Sequence, residues 1–264
     1  MTVIIHGSPI AVDDVGQGGP MLFVHGFPLN RRMWQAQTAA FAGTHRVIVP
    51  DLRGFGESVG APPLTMMDDY ADELAALLDA LDVQEPVTLC GLSMGGYIAF
   101  AFFQRHRSRL ARLILCDTRA DADSAEKKIS REQTAQDVLQ NGTEGLVQAM
   151  PASLLSEHTI AERPNIVAAV RQMIGEAPPV AVAAALRGMA LRPDVTELLP
   201  QIDVPTLVLC GEADSISPVA VMEPLAAAIP NAIFASIPLA GHLAPIENAD
   251  SVNGAIRRFV EQTA

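Results

Sequence analysis

Ten residues, Val87-Thr88-Leu89-Cys90-Gly91-Leu92-Ser93-Met94-Gly95-Gly96, constrain this chain more than any other stretch. An apolar, β-forming run ends at Gly91, a turn of small residues carries Ser93, and Tyr97, Ile98, Phe100 and Ala101 come next with helical spacing. The pattern predicts strand, tight turn and helix, with the serine at the tip. Glycines at 91 and 95 remove side chains that would collide where strand and helix nearly touch. The serine is then forced into a strained conformation that aims its hydroxyl outward. Gly-x-Ser-x-Gly alone is common in loops, but between a buried strand and a helix it reads as a nucleophile elbow. The competing reading is a serine that merely caps the helix. The rest of the chain decides between them by supplying a base, an acid and an anion site, or failing to.

Other apolar runs repeat the strand pattern: Met21–Val24, Arg46–Pro50, Leu113–Cys116, Thr206–Cys210 and Ala232–Ile237. Helical spacing fills the gaps, over about 31–41, from 67 to 81 with Thr65 as N-cap, from the serine to about 107, over 219–228 and over 250–262. Near the start, Val3-Ile4-Ile5 and Ile10-Ala11-Val12, split by Gly7-Ser8-Pro9, predict an antiparallel hairpin at a sheet edge. Strand alternating with helix means an α/β fold, with a mostly parallel sheet covered on both sides. Between 119 and 200 the texture changes to helical segments near 124–140, 143–149, 157–175 and 179–190, with no β-like run. The expected division is therefore a core of 1–118 and 201–264 with a helical insertion at 119–200.

With 264 residues and 49% hydrophobic side chains, the chain has material for one large core. Its net charge of -12 is the wrong sign for displacing counterions from nucleic acid, and an acidic membrane surface repels it too. No segment reaches the roughly 18–20 apolar residues of a membrane span, and the N-terminus lacks the basic and apolar regions of a secretory signal. Cys90, Cys116 and Cys210 each end an apolar run and read as small buried hydrophobes. No metal-ligand spacing occurs, so no metal or cofactor is expected, and the expected compartment is the cytoplasm.

In an open parallel sheet, ligands bind past the carboxyl ends of the strands. The residues there are His25-Gly26-Phe27, Asp51, Ser93, Asp117, Asp214 and His242. A serine hydroxyl needs a base within hydrogen-bond reach, and the base needs an orienting acid. His242 and Asp214 supply these in chain order serine, acid, histidine. Asp117 comes after the strand beyond the serine strand and competes for the acid's role; Glu212 reads as a turn residue. His25 braces its loop, and the remaining histidines, His6, His45, His106 and His158, read as solvated. The oxyanion of an acyl transfer would take the Met94 N–H and a second amide at Phe27 or earlier, because Pro28 has none.

With His25-Gly26-Phe27-Pro28, Asp51-Leu52-Arg53-Gly54-Phe55-Gly56-Glu57-Ser58, Gly91–Gly96, Gly211–Asp214 and Gly241-His242 in this order, the chain resembles the α/β-hydrolase fold superfamily. Small serine esterases and 3-oxoadipate enol-lactonase-like hydrolases are the nearest likeness. The resemblance implies an eight-stranded sheet with one antiparallel strand, a helical cap at 119–200, and a Ser93-His242-Asp214 triad that opens a small-molecule ester or lactone. Carbon–carbon bond hydrolysis uses the same triad. The proline after the aromatic in the oxyanion loop is similar to that of cofactor-free haloperoxidases and perhydrolases. Related dehalogenases use an aspartate nucleophile, which Ser93 disfavours. Where the family often has Glu-x-Pro after the histidine, this chain has Glu247-Asn248-Ala249. Leu29, Met33 and Trp34, with Phe27, Met94 and the cap, are expected to form a largely apolar pocket. Arg31 and Arg32 are placed either to meet a substrate carboxylate or to sit in solvent.

Overall fold

The computed structural model describes residues 1–58 and 66–263. Its eight strands are β1 (Thr2–Ile5), β2 (Ser8–Val15), β3 (Pro20–Val24), β4 (Arg46–Pro50), β5 (Val87–Leu92), β6 (Leu110–Cys116), β7 (Thr206–Gly211) and β8 (Ile233–Ile237). They form one sheet in the order β1-β2-β4-β3-β5-β6-β7-β8. Strand β2 pairs antiparallel with both β1 and β4, and every pairing from β4 to β8 is parallel. The edge hairpin and the mostly parallel sheet are as expected.

Continuous apolar runs are what a sheet buried on both faces requires, because successive side chains point to opposite sides. In β3, Leu22 and Val24 join one core while Met21 and Phe23 join the other, and all four are inaccessible. Fully burying such a side chain contributes about 1.5–3 kcal/mol each, so the central strands anchor both layers. Helices α1 (Gln35–Phe41) and α2 (Met67–Ala80) precede the serine strand, and α3 (Met94–His106) comes directly after it. Tyr70, Leu74, Leu77 and Leu78 of α2 lie in the same core as Ile98 and Phe102 of α3. Thr65, the expected N-cap of α2, lies outside the described residues; within them, Asp69 accepts the Met66 N–H at 2.9 Å.

Six helices occupy the insertion between β6 and β7: α4 (Ala125–Asn141), α5 (Glu144–Ala149), α6 (Pro151–Leu154), α7 (Glu157–Glu162), α8 (Pro164–Glu176) and α9 (Pro179–Leu191). Helix α10 (Val219–Ala228) lies after β7, and α11 (Ala244–Glu247) and α12 (Ala249–Gln262) after β8. The segment at 157–175 is two helices, because Pro164 has no N–H for the preceding turn and instead begins a new helix. Residues 31–34 form a 3-10 turn, its start capped by the Asn30 side chain on the Arg32 N–H, before α1 begins. The four-residue helices α6 and α11 are too short to show a period in the sequence. Among the described residues no single helix is long and apolar enough to cross a membrane.

Candidate active site

Strand β5 delivers Ser93 at its carboxyl end with φ 53° and ψ -110°, a left-handed backbone that a non-glycine residue holds only under constraint. The constraint comes from β6: the Ser93 N–H donates to the Cys116 carbonyl at 2.9 Å, and the Thr118 hydroxyl donates to the Ser93 carbonyl at 2.8 Å. A Cβ at Gly91 would run into the Gly95 carbonyl, and one at Gly95 into the Val24 carbonyl. Both positions are therefore closed to any side chain, and strand and helix meet at van der Waals distance.

His242 stands in the loop between β8 and α11, and Asp214 in the turn after β7. His242 Nε2 lies 2.8 Å from Ser93 Oγ, and its Nδ1 lies 2.8 Å from Asp214 Oδ2. A carboxylate only accepts, so Nδ1 carries the proton and Nε2 is left as acceptor for the serine hydroxyl. The other oxygen of Asp214 accepts the Ile216 and Ser217 N–H groups at 2.7 and 3.0 Å. Burial opposes ionisation of Asp214, but the His242 hydrogen bond and charge and these two amides outweigh it, holding its pKa below the usual carboxylate value.

Asp117, the competing acid, is fully buried and turned toward β7, where Oδ1 accepts the Gly211 N–H at 2.7 Å. Its Oδ2 has no partner among the described residues. Burial, and then the charge of Asp214, push its pKa well above the usual range, so it holds its proton more tightly than Asp214 does. It makes no hydrogen bond to His242. Asp117, Asp214 and Cys210 bring potential ligand atoms within 4.8 Å of one another. Each is already committed: Asp214 to the histidine and amides, Asp117 to Gly211, and the Cys210 thiol to the Gly211 and Ser217 carbonyls.

His25 braces its loop as expected. Its Nε2 accepts the Leu52 N–H at 3.0 Å, so Nδ1 carries the proton toward the Gly26 carbonyl, and burial lowers its pKa. The amides of Phe27 and Met94 have no acceptor among the described residues. Glu212 is exposed, as a turn residue should be, whereas His106 is half-buried and paired with Asp72 at 2.7 Å.

The pocket expectation is corrected. Leu29, Met33 and Trp34 are 1%, 3% and 0% exposed and pack in the core with Phe23 and Phe41, away from the cavity at Ser93. Their helical spacing faces the sheet. Arg31 is clamped by Asp51, Asp13 and Glu57, and Arg32 pairs with Glu176, so neither faces the cavity. That cavity, of about 240 Å³, has Ser93 and His242 in its wall together with Phe27, Tyr97 and Ile216. The insertion supplies Leu146, Met150, Leu154, Leu186 and Met189 as an apolar side, and Lys127, Ser130, Arg131, Thr134 and Ser153 as a polar one. The cavity thus has one apolar and one polar side.

Glu247, noted in the sequence only where the family often has Glu-x-Pro, is buried. Its two carboxylate oxygens accept the Gly241 N–H, next to His242, and the Ser156 N–H of the insertion, each at 2.8 Å. Its carbonyl accepts from the Arg163 guanidinium.

The α/β-hydrolase fold family matches residues 19–249. The chain belongs to this family. The α/β hydrolase superposes on a thermophilic esterase from Thermogutta terrifontis, solved with malate bound, at TM-score 0.97 and 46% identity, covering 100% of this chain and 98% of that one. It matches the enol-lactonase of Burkholderia xenovorans LB400 at TM-score 0.91 and 25% identity, over 99% of this chain and all of that one. A putative non-heme chloroperoxidase of a Synechocystis strain is 29% identical over 96% of this chain and 95% of its own length. With these relatives, the α/β hydrolase is an enzyme.

Proposed function

We propose that this α/β hydrolase cleaves small carboxylic esters or lactones through an acyl-enzyme on Ser93. The observation that carries the reading is the unbroken chain of two 2.8 Å contacts, Ser93 Oγ to His242 Nε2 and His242 Nδ1 to Asp214, at the wall of a cavity. In the first half-reaction His242 takes the hydroxyl proton as Ser93 attacks the carbonyl carbon, and Asp214 stabilises the imidazolium. The amides of Phe27 and Met94, which have no acceptor within the described residues, receive the oxyanion. His242 then protonates the leaving oxygen, and water releases the acid by the reverse roles.

The insertion acts as a cap over this reaction, closing one side of the cavity, with core 1–118 and 201–264 and cap 119–200. A cavity of about 240 Å³ lies below the usual range of ligand pockets and suits short acyl chains. The esterase and enol-lactonase relatives favour an ester or lactone over other acyl compounds. Hydrolysis of p-nitrophenyl butyrate by the wild type and by Ser93→Ala tests the reading. Loss of the nucleophile should cost about 10⁶-fold in kcat, down to the assay floor. Equal rates in the two proteins would sink it.

A further inference from the structure

The polar wall of the Ser93 cavity comes mainly from one face of α4, where Lys127, Ser130, Arg131 and Thr134 recur at helical spacing. Most of its donors are spent. Arg131 is paired with Asp123, the Thr134 hydroxyl donates to the Ser130 carbonyl at 2.9 Å, and the Ser153 hydroxyl donates to the Met150 carbonyl at 3.0 Å. Among the described residues the Lys127 ammonium, the Ser130 hydroxyl and the phenol of Tyr97 keep donors with no acceptor.

Lys127 and its neighbour Lys128 are the only lysines in the sequence, and the chain carries a net charge of -12. A free cation at the reaction cavity therefore runs against the charge of the whole molecule. Helix stability does not explain it. Lys127 lies in the first turn of α4, the positive end of the helix, where an acidic side chain is favoured and a cation is not.

We propose that Lys127, with Ser130 and Tyr97, forms a subsite for a carboxylate carried by the substrate away from the bond that is cleaved. The proposal rests on the hydrolase reading and specifies its substrate class: a short ester or lactone with one anionic end. One ammonium flanked by hydroxyls matches a single negative charge. A phosphate would call for guanidinium forks, and the one guanidinium in this wall is already held by Asp123. The apolar side formed by Leu146, Met150 and Met189 takes the intervening methylenes.

The test compares near-isosteric ester pairs that differ in charge. Monomethyl glutarate against methyl hexanoate places the carboxylate on the acyl side, and 4-acetoxybenzoate against its methyl ester places it on the leaving side. The ratio of kcat/KM for the charged over the neutral member should fall about fivefold in Lys127→Ala for one of the two pairs, the upper end for an exposed ion pair, and roughly 25-fold in Lys127→Glu. Added salt should shrink the wild-type ratio. Lys128→Ala, one position along the helix and outside the cavity lining, should leave the ratio in place. A ratio unmoved by Lys127→Glu in both pairs overturns the subsite. Wild type inactive on all four esters would instead overturn the hydrolase reading.

Discussion

Among the described residues, Glu247 is the only side chain whose two carboxylate oxygens join the loop of His242 to the helical insertion, so its loss has a magnitude that can be worked out. The residue is 2% exposed, and each oxygen accepts a buried backbone N–H at 2.8 Å, one from Gly241 and one from Ser156. Glu247→Ala leaves both amides without an acceptor, and each orphaned buried donor costs about 1–3 kcal/mol. Relief from desolvating the carboxylate offsets part of this and the space left behind adds to it. The net cost is roughly 2–6 kcal/mol, which at about 2–4 °C per kcal/mol for a domain of this size lowers the melting temperature by roughly 5–20 °C. Glu247→Gln keeps one acceptor and turns an N–H₂ toward the other amide, so it should lie between. Thermal unfolding monitored by circular dichroism reads both. Ester hydrolysis at 25 °C, well below melting, should show kcat falling by up to about 10²-fold while KM moves less, because the Gly241 tether positions His242. A Glu247→Ala protein that melts within ~2 °C of wild type with unchanged kcat would refute the reasoning.

The same geometry carries three more outcomes. Asp214→Asn should reduce kcat by about 10⁴-fold, as loss of an orienting acid does, while Asp117→Asn stays near wild type; the reverse pattern would reassign the acid. Asp117→Asn should also change the pH dependence of stability. Folded Asp117 keeps its proton well above the usual carboxylate range, whereas the unfolded chain releases it near 3.8. The folded state thus binds the extra proton above about pH 4, so Asp117 costs stability that grows as pH rises. The melting temperature of Asp117→Asn relative to wild type should therefore climb between pH 4 and pH 8, and a constant difference would contradict this. Finally, with a cavity of about 240 Å³, p-nitrophenyl butyrate should be cleaved at least ~10-fold faster, by kcat/KM, than the dodecanoate ester.

Much of this molecule is legible along the chain because its strands are buried on both faces. Met21–Val24, Val47–Pro50 and Leu207–Cys210 are unbroken apolar runs, and the residues just past each run sit at the site edge of the sheet. That is why Ser93, Asp214 and His242 stand out in the sequence and why they meet. The choice between Asp117 and Asp214 needed coordinates, since both lie past strands flanking the same cavity and only the direction of the side chain separates them. The pocket was the least legible part. Leu29, Met33 and Trp34 come just after the His25–Pro28 loop in sequence, but their side chains turn into the core. Lys127 and Ser130 are exposed and Thr134 is half-buried on α4, and only the docking of that helix at the mouth of the site places them in the cavity wall. Glu247 showed in the sequence only through the family's Glu-x-Pro pattern, and nothing in its neighbours marked a buried carboxylate held by two backbone amides.

The claim that Ser93 is the nucleophile of a covalent reaction is tested most directly by mass spectrometry after treatment with diethyl p-nitrophenyl phosphate. One diethylphosphoryl group per chain, on the peptide containing Ser93, with ester hydrolysis lost in proportion and no adduct in Ser93→Ala, is the predicted result. An adduct on another residue, or full hydrolysis by a chain fully labelled at Ser93, would contradict it.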